Sequence, residues 1–228
     1  QKLAKSVTER FPQITGVVLN INREKTNVIL GDEEIVLAGK PDISDTMCTI
    51  KVEISPRAFY QVNTPAAEAL YAQAAEFAEP EGKLLLDLYC GAGTIGLSMA
   101  GKARRLIGAE IVPQAVENAR RNAERNSIGN AEFICADAGQ AAKQLEIAGE
   151  RPDVIILDPP RKGCDDATLT ACAGMQPERI VMISCNAATA ARDCKRLEEL
   201  GYALKKVRPF DLFPRTSHVE CAAVLIKK

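Results

Sequence analysis

The chain has 228 residues, of which 46% are hydrophobic and 26% charged, with a formal net charge of −1. This length allows one large domain with a small neighbour, and the near-neutral charge gives no overall basic field of the kind that attracts nucleic acids. No apolar run approaches the roughly 20 residues that are needed to cross a membrane. The chain begins with Gln1 and has no signal-peptide pattern, so we expect a cytoplasmic protein and a piece of a longer chain.

The cysteine and histidine content limits the redox and metal chemistry. None of the eight cysteines forms a C-x-x-C pair and His218 is the only histidine, so the sequence predicts no metal site. Several cysteines lie in apolar runs, as in Phe133-Ile134-Cys135, and are predicted to be buried free thiols. This pattern favours a reduced, intracellular protein.

Residues 1–64 are predicted to form a small α+β module. Residues 2–10 have a helical pattern, residues 14–21 a strand pattern, and residues 48–54 alternate as a half-buried strand does. The runs 26–30 and 34–37 flank Gly31-Asp32, which is typical of a β-hairpin.

Residues 65–228 are predicted to form a second domain with alternating strands and helices. Thr64 is the expected N-cap and Pro65 the first residue of a helix that runs to about residue 78. Five strands are then expected, at 84–88, 105–108, 131–135, 154–157 and 180–184. Helices are expected after the glycine loop, at 113–126, after the third strand as far as about residue 148, at 166–174 and at 188–200. This alternation predicts an α/β fold with a parallel sheet, and the runs 202–209 and 219–227 are expected to close it as an antiparallel hairpin.

A glycine loop follows the first of these strands. Gly91, Gly93 and Gly96 fit the G-x-G-x-x-G pattern, which is typical of a dinucleotide-binding turn but also occurs in plain strand-to-helix turns. Glu110 lies about 20 positions further on, where a carboxylate can accept hydrogen bonds from ribose hydroxyls. Together these features favour an adenosine cofactor.

Further polar residues follow the other strands. Asp137 follows the third strand, Asp158-Pro159-Pro160-Arg161 the fourth and Cys185 the fifth, so all are expected on the rim where ligands bind in open α/β sheets. With Asp87 before the glycines, the set resembles class I methyltransferases that use S-adenosylmethionine. Asp-Pro-Pro is also found in amino-directed methyltransferases, but there an aromatic residue follows, whereas Arg161 follows here.

Cys185 and Glu220 are open to two interpretations on spacing alone. A lone cysteine at a strand end is more often a buried structural thiol than a nucleophile, and Glu220 could be an ordinary strand residue. His218 could equally lie in a surface loop.

Taken together, several segments resemble the RNA uracil-5-methyltransferase family, in family order and across the whole chain. The segments are Phe59-Tyr60-Gln61-Val62-Asn63, 87–93, 158–163, Ser184-Cys185-Asn186 with Arg192-Asp193, and Pro214 with His218-Val219-Glu220. The resemblance implies S-adenosylmethionine as the cofactor, no metal in this chain, and RNA as the substrate, with 23S ribosomal RNA favoured over transfer RNA. It predicts no membrane association and no obligate protein partner.

The resemblance also implies roles for individual residues. Cys185 would attack C6 of a uracil and Glu220 would remove the C5 proton. Phe59 would help to hold the target base, which must leave its stack for C6 to be reached. The implied cofactor contacts are Gln61, Tyr89, Glu110 and Asp158, to which the general methyltransferase pattern adds Asp137. We also expect Asn186 and the start of the following helix to hold Cys185 and to lower the pKa of its thiol.

The sequence departs from the family in two respects. Ala187 replaces the proline that follows S-C-N in many relatives, for which we expect only a local change in the turn. Family members usually begin with a small RNA-binding β-barrel domain, which these residues do not include. We therefore expect residues 1–228 to bind S-adenosylmethionine but to methylate RNA poorly.

Three other functions remain open. One is an RNA 5-methylcytosine methyltransferase, a group in which one catalytic cysteine follows the motif after the fourth strand, as Cys164 does here, and a second lies one strand later. The others are an NAD-dependent dehydrogenase, suggested by the glycine pattern alone, and a non-catalytic RNA-binding module.

Overall fold

The computed structural model describes residues 1–25, 29–56 and 60–228. Its helices are α1 Lys2–Arg10, α2 Thr64–Ala78, α3 Thr94–Ala100, α4 Pro113–Arg125, α5 Ala138–Ile147, α6 Asp166–Gly174 and α7 Ala187–Glu199. Its strands are β1 Gly16–Ile21, β2 Glu33–Gly39, β3 Ile43–Met47, β4 Ile50–Ile54, β5 Leu84–Leu88, β6 Arg105–Glu110, β7 Ala131–Cys135, β8 Val154–Leu157, β9 Arg179–Ser184, β10 Tyr202–Phe210 and β11 Glu220–Lys227. None of the helices in these ranges is long and apolar enough to span a membrane.

The main sheet is parallel except at one edge. Within the described residues it has seven strands in the order β10-β11-β9-β8-β5-β6-β7. Strands β5 to β9 pair in parallel, whereas β11 pairs antiparallel with both β9 and β10. The predicted fold class, with its closing hairpin, is therefore confirmed.

The core lies in two layers because successive side chains of a strand point to opposite faces. Leu85, Val154 and Val181 pack on one face with residues of α2 and α4. Leu86 and Ile155 pack on the other face with residues of α5, α6 and α7. The central strands are apolar on both faces, as expected of a parallel sheet covered by helices.

The N-terminal region contains two separate hairpin-like pairs. The prediction of a hairpin around Gly31-Asp32 is wrong for the described part of the run 26–30, because Ile29 and Leu30 form no strand and β2 pairs with β1. Residues 26–28 lie outside the described residues. The side-chain amide of Asn20 donates to the Gly31 carbonyl at 2.9 Å and accepts from the Gly31 N–H at 2.7 Å. Both backbone groups of Gly31 are therefore hydrogen bonded to a side chain and not to a partner strand.

Two smaller differences concern residues 43–64. Strand β3 is absent from the prediction because four of its five residues are exposed and its polar sequence has no apolar alternation. The N-cap of α2 is Asn63, so the helix begins one residue earlier than expected. The division between residues 64 and 65 remains a prediction.

Candidate active site

The predicted residues that follow the parallel strands lie along one edge of the sheet. Tyr89 follows β5, Glu110 ends β6, Asp137 follows β7, Asp158 follows β8 and Cys185 follows β9. The carboxyl ends of parallel strands share an edge, so residues distant in sequence converge there.

Glu220 reaches the same edge from the opposite chain direction. Cys221 pairs with Ser184 between antiparallel strands β11 and β9, so the next position in the register sets Glu220 opposite Cys185. Glu220 is only 5% exposed, and this burial raises the pKa of its carboxyl group. The charge of Arg161 partly offsets the increase.

A cavity opens beside Cys185. Its volume is about 440 Å³, and its described lining residues are Arg161, Cys185, Asn186, Ala187, Ala188, Ser217, His218 and Val219. Cys185 itself is partly exposed to this space. His218 is exposed and packs edge-on to Phe213, with ring centroids 6.5 Å apart.

Four acidic side chains form a carboxylate arc, which we define as Glu110, Asp87, Asp158 and Glu220. Burial, followed by the charge of Glu110, raises the pKa of Asp87 to about 7. Burial, followed by the charges of Glu220 and Asp87, raises the pKa of Asp158 to about 8. Isolated carboxylates are costly to bury, so this arrangement favours a cation at the arc.

The inner end of the arc has unused hydrogen-bonding capacity. Asp87 accepts the Gly96 N–H at 2.9 Å through Oδ2, whereas its buried Oδ1 has no hydrogen-bond partner among the described residues. No group of acidic, cysteine or histidine side chains in residues 1–25, 29–56 and 60–228 has a geometry suited to a metal ion.

The glycine loop leaves room for a ligand next to Glu110. Gly91 has φ +54°, and a side chain there would point into space with no described atom within 4 Å. The Glu110 carboxylate accepts the N–H of Gly91 at 3.1 Å and of Val112 at 2.9 Å, which joins the loop to the end of β6. Open space beside a backbone turn, an unpaired buried carboxylate oxygen and several acidic groups fit an adenosine cofactor with a cationic centre.

Gln61 lies at the middle of the arc together with Tyr71, which is not among the residues predicted for the site. Gln61 is 8% exposed and lies beside the hydroxyl of Tyr71, on α2. Burial and the nearby Asp158 and Asp87 raise the pKa of Tyr71. Nothing in the sequence distinguishes Tyr71 from the core residues around it, because it lies in an apolar helical stretch.

Tyr89 and Asp137 have structural roles in addition to the predicted ones. Tyr89 adopts φ +66°, and its side chain lies beside Cys164 and Thr168. Asp137 caps α5, with Oδ1 accepting the N–H of Gly139 at 3.0 Å and of Gln140 at 3.4 Å. Phe59 lies outside the described residues. The roles of the predicted site residues stay predictions.

Arg192 and Asp193 hold the loop that carries Arg161. Buried Asp193 accepts the Cys164 N–H at 2.8 Å, and Arg192 donates to the carbonyls of Lys162 at 3.0 Å and Cys164 at 3.1 Å. Gly163 has φ +76°, and a Cβ atom there would lie 2.5 Å from both the Arg192 Nη2 and the Asp193 Oδ2. The Arg192-Asp193 pair and the loop 161–164, which are about 30 residues apart in the chain, are therefore in direct contact.

Asn186 holds the Cys185 loop as expected. Its side chain caps α7 by accepting the N–H of Ala188 at 3.0 Å and of Thr189 at 3.5 Å. It also donates to the Arg161 carbonyl at 3.3 Å, which links the loops after β8 and β9.

The expected lowering of the Cys185 pKa is wrong. Burial raises the pKa of this thiol, and the charges of Glu220 and Asp158 raise it further, while Arg161 acts in the opposite direction. The physical reason is burial first and then the nearby acidic groups of Glu220 and Asp158, while Asn186 already accepts N–H groups at the start of α7.

Cys164 differs from Cys185 in its surroundings. It is 6% exposed and belongs to the core layer beneath α6 and α7. Burial is the main reason that its pKa is raised to about 12.

Comparison with solved structures identifies the fold as that of class I methyltransferases. The Pyrococcus abyssi tRNA (uracil-54, C5)-methyltransferase in complex with S-adenosyl-L-homocysteine matches with a TM-score of 0.82 and 31% identity, over 96% of this chain and 53% of that one. Trm5b from the same organism matches in fold, with a TM-score of 0.65 and 15% identity over 99% of this chain and 68% of its own.

Sequence comparison gives the family. The tRNA (uracil-5-)-methyltransferase family matches residues 6–228, and the chain belongs to it. An RNA methyltransferase of Halalkalibacterium halodurans is 46% identical over 224 residues, which are 98% of this chain and 49% of the relative. One from Lactococcus lactis is 49% identical over 223 residues, 97% of this chain and 48% of the relative. The chain thus spans about half the length of these curated relatives. The predicted family is confirmed, and the expected cofactor agrees with the product bound in the Pyrococcus complex.

Proposed function

We propose that the protein transfers a methyl group from S-adenosylmethionine to C5 of a uridine in RNA. The observation that carries this proposal is the position of Glu220 opposite Cys185, on the edge that also bears the glycine loop. A nucleophile and a base must act on adjacent carbons of one pyrimidine ring, so they must lie on facing positions.

The carboxylate arc supports the choice of cofactor. S-adenosylmethionine supplies a methyl group on a positively charged sulfur. Asp158 and Asp87 would face this charge, together with Gln61, while Glu110 would bind the ribose. Tyr89 and Asp137 would border the remainder of the cofactor, with Asp137 placed for the adenine amino group.

The chemistry assigns separate tasks to Cys185 and Glu220. Uracil C5 is a weak nucleophile until a thiolate adds to C6, which forms the S–C6 bond and moves the electron pair of C5=C6 toward C5 and the O4 enolate. Once C5 carries the methyl group, Glu220 takes the C5 proton, the double bond reforms, and the Cys185 thiolate is expelled. The Cys185 thiol must give up its proton to solvent in the cavity before the addition, because only the thiolate is nucleophilic. Its raised pKa opposes this loss, and Arg161 is the cation whose charge favours it.

The substrate is proposed to be RNA with the target uridine turned out of its stack. We retain 23S ribosomal RNA as the favoured substrate, and transfer RNA is the second candidate because it is named for the Pyrococcus enzyme. Methylation of separate 23S and transfer RNA transcripts, with the position of 5-methyluridine read by mass spectrometry, distinguishes the two. Phe59 is proposed to contact the target base.

RNA containing 5-fluorouridine tests the reaction, since fluorine at C5 cannot be removed as a proton. With S-adenosylmethionine present, wild-type protein should form a covalent complex that survives denaturing electrophoresis. Cys185→Ala should form none, and Cys164→Ala should retain it. A complex that persists in Cys185→Ala and disappears in Cys164→Ala would instead support the cytosine-type arrangement.

A further inference from the structure

Asn122 connects the glycine loop to the β3–β4 hairpin. It lies on α4 and is fully buried. Its Nδ2 donates to the carbonyl of Ala92 at 3.1 Å, and its Oδ1 accepts the N–H of Glu53, in β4, at 2.8 Å. One side-chain amide therefore bonds to the loop after β5 and to a strand about 40 residues earlier in the chain.

The contact with Ala92 is one of two side-chain contacts that hold the loop from elsewhere in the described residues, in addition to the backbone bond from the Cys90 N–H to the Ala109 carbonyl at 3.0 Å. Among the described residues, the side chains that hydrogen bond to the backbone of loop residues 90–93 from elsewhere in the chain are Glu110, at Gly91, and Asn122, at Ala92. The loop contains Gly91 and Gly93, both with positive φ, so its backbone has little intrinsic rigidity. A buried donor removed from Ala92 would leave a carbonyl without this partner.

Other α4 side chains bind the hairpin but not the loop. Asn126 accepts the Lys51 N–H at 2.9 Å and donates to the Lys51 carbonyl at 2.8 Å. Asn118 donates to the hydroxyl of Ser55, the residue that follows β4, at 3.1 Å. The hairpin is thus attached to α4 along β4, and only the attachment at Glu53 continues to Ala92 through a single side chain.

We propose that Asn122 is a positioning residue that holds the glycine loop in its cofactor-binding conformation and couples cofactor binding to the docking of the β3–β4 hairpin. This inference rests on the proposed placement of the cofactor at the glycine loop. Coupling between two sites is reciprocal, so ligand binding at the loop should also stabilise the hairpin contact.

Asn122→Asp and Asn126→Ala form the test pair, with S-adenosylhomocysteine as the probe. Asn122→Asp keeps an acceptor for the Glu53 N–H but loses the donor to Ala92, and we expect the Kd for S-adenosylhomocysteine to rise at least about fivefold. Asn126→Ala loses its two contacts with Lys51 and its bond to the Asn122 carbonyl at 2.8 Å, but no contact with the glycine loop, so its Tm should fall while its Kd stays within about twofold. An Asn122→Asp variant with wild-type Kd, or an equal rise in both variants, would overturn the inference.

Hydrogen exchange in the wild-type protein tests the coupling without a substitution. Saturating S-adenosylhomocysteine should slow exchange of the Glu53 N–H, which bonds to Asn122, more than that of the Lys51 N–H, which bonds to Asn126. Equal slowing, or none at Glu53, counts against the coupling. Failure of the wild-type protein to bind S-adenosylhomocysteine at all would instead contradict the proposed function.

Discussion

The carboxyl groups of Asp158 and Glu220 are close enough that, after burial, Glu220 is the main cause of the raised pKa of Asp158. Asp158 follows a parallel strand and Glu220 begins an antiparallel one, so the sheet brings together two acids that are 62 residues apart in the printed sequence. Their proximity gives the ligand-free site a charge that depends on pH near neutrality.

The stability of the ligand-free protein should therefore fall as the pH rises from about 4 to about 8. Asp87 and Asp158 have an ordinary pKa of 3.8 but hold their protons to about pH 7 and 8 when folded. Above pH 4 the unfolded chain ionises more readily than the folded one, which lowers the free energy of unfolding. Urea unfolding at several pH values measures this, and Asp158→Asn should show a smaller fall. An identical pH profile for wild type and variant would contradict the assignment.

The preference for S-adenosylmethionine over S-adenosylhomocysteine should increase across the same pH range. The methylated form carries a positive sulfur that the demethylated product lacks, and the carboxylate arc becomes more negative as Asp87 and Asp158 ionise. Calorimetric titration of both ligands at about pH 6 and about pH 8.5 gives the ratio of Kd values. A ratio that is independent of pH would show that the arc does not face the sulfur.

Glu220→Gln should trap the protein on ordinary RNA. Without a base for the C5 proton, the methylated adduct at Cys185 cannot eliminate, so product release should slow on the order of a hundredfold or more. Denaturing electrophoresis with unmodified RNA and labelled S-adenosylmethionine detects the adduct. His218→Gln is the control because His218 lines the same cavity. Accumulation in His218→Gln, without accumulation in Glu220→Gln, would transfer the role of base to the histidine.

Arg161→Gln should raise the pKa of Cys185 still further. Arg161 is the cation whose charge lowers this pKa, and it also acts on Glu220. The rate of Cys185 alkylation against pH reports the thiol pKa, with Cys185→Ala subtracted to remove the other cysteines. Lys162→Gln, a neighbouring charge removal, should leave the profile near that of wild type. Equal shifts in both variants would indicate a general effect of surface charge.

Gly163→Ala should destabilise the protein more than Gly149→Ala. The two glycines have similar φ values, +76° and +79°, but a side chain at 149 meets no described atom within 4 Å, whereas one at 163 collides with Arg192 and Asp193. We expect a loss of about 1 kcal/mol at 149, from the backbone alone, and on the order of 2–3 kcal/mol at 163. Thermal or urea unfolding measures the loss of stability in both variants. Equal losses would show that the loop around Gly163 adjusts to the added methyl group without further destabilisation.

The elements of the main sheet could be predicted because their signals are local. Apolar runs, glycine turns and helical periodicity recur along residues 65–228, and the boundaries agree within about two residues with the structure. The final hairpin was also predictable, because no helical segment separates 202–209 from 219–227.

The relationships within the site depend on contacts between distant segments. The position of Glu220 opposite Cys185 follows from an antiparallel register, and the roles of Arg192 and Asp193 follow from contacts with a loop about 30 residues away. The pKa of Cys185 was predicted with the wrong sign because helix position is visible in the sequence, whereas burial and two neighbouring carboxylates are not.

Because β11 is the last strand in the chain, Glu220 is the last residue of the proposed site to be synthesised. Gly91, Glu110, Asp158 and Cys185 all leave the ribosome before Glu220. At about 5–20 residues per second, on the order of ten seconds separate the glycine loop from the base. Until β11 has inserted between β9 and β10, a nascent chain has the glycine loop and Cys185 but lacks Glu220, the residue proposed to remove the C5 proton. Insertion of this one strand is therefore the last step in assembling the proposed active site.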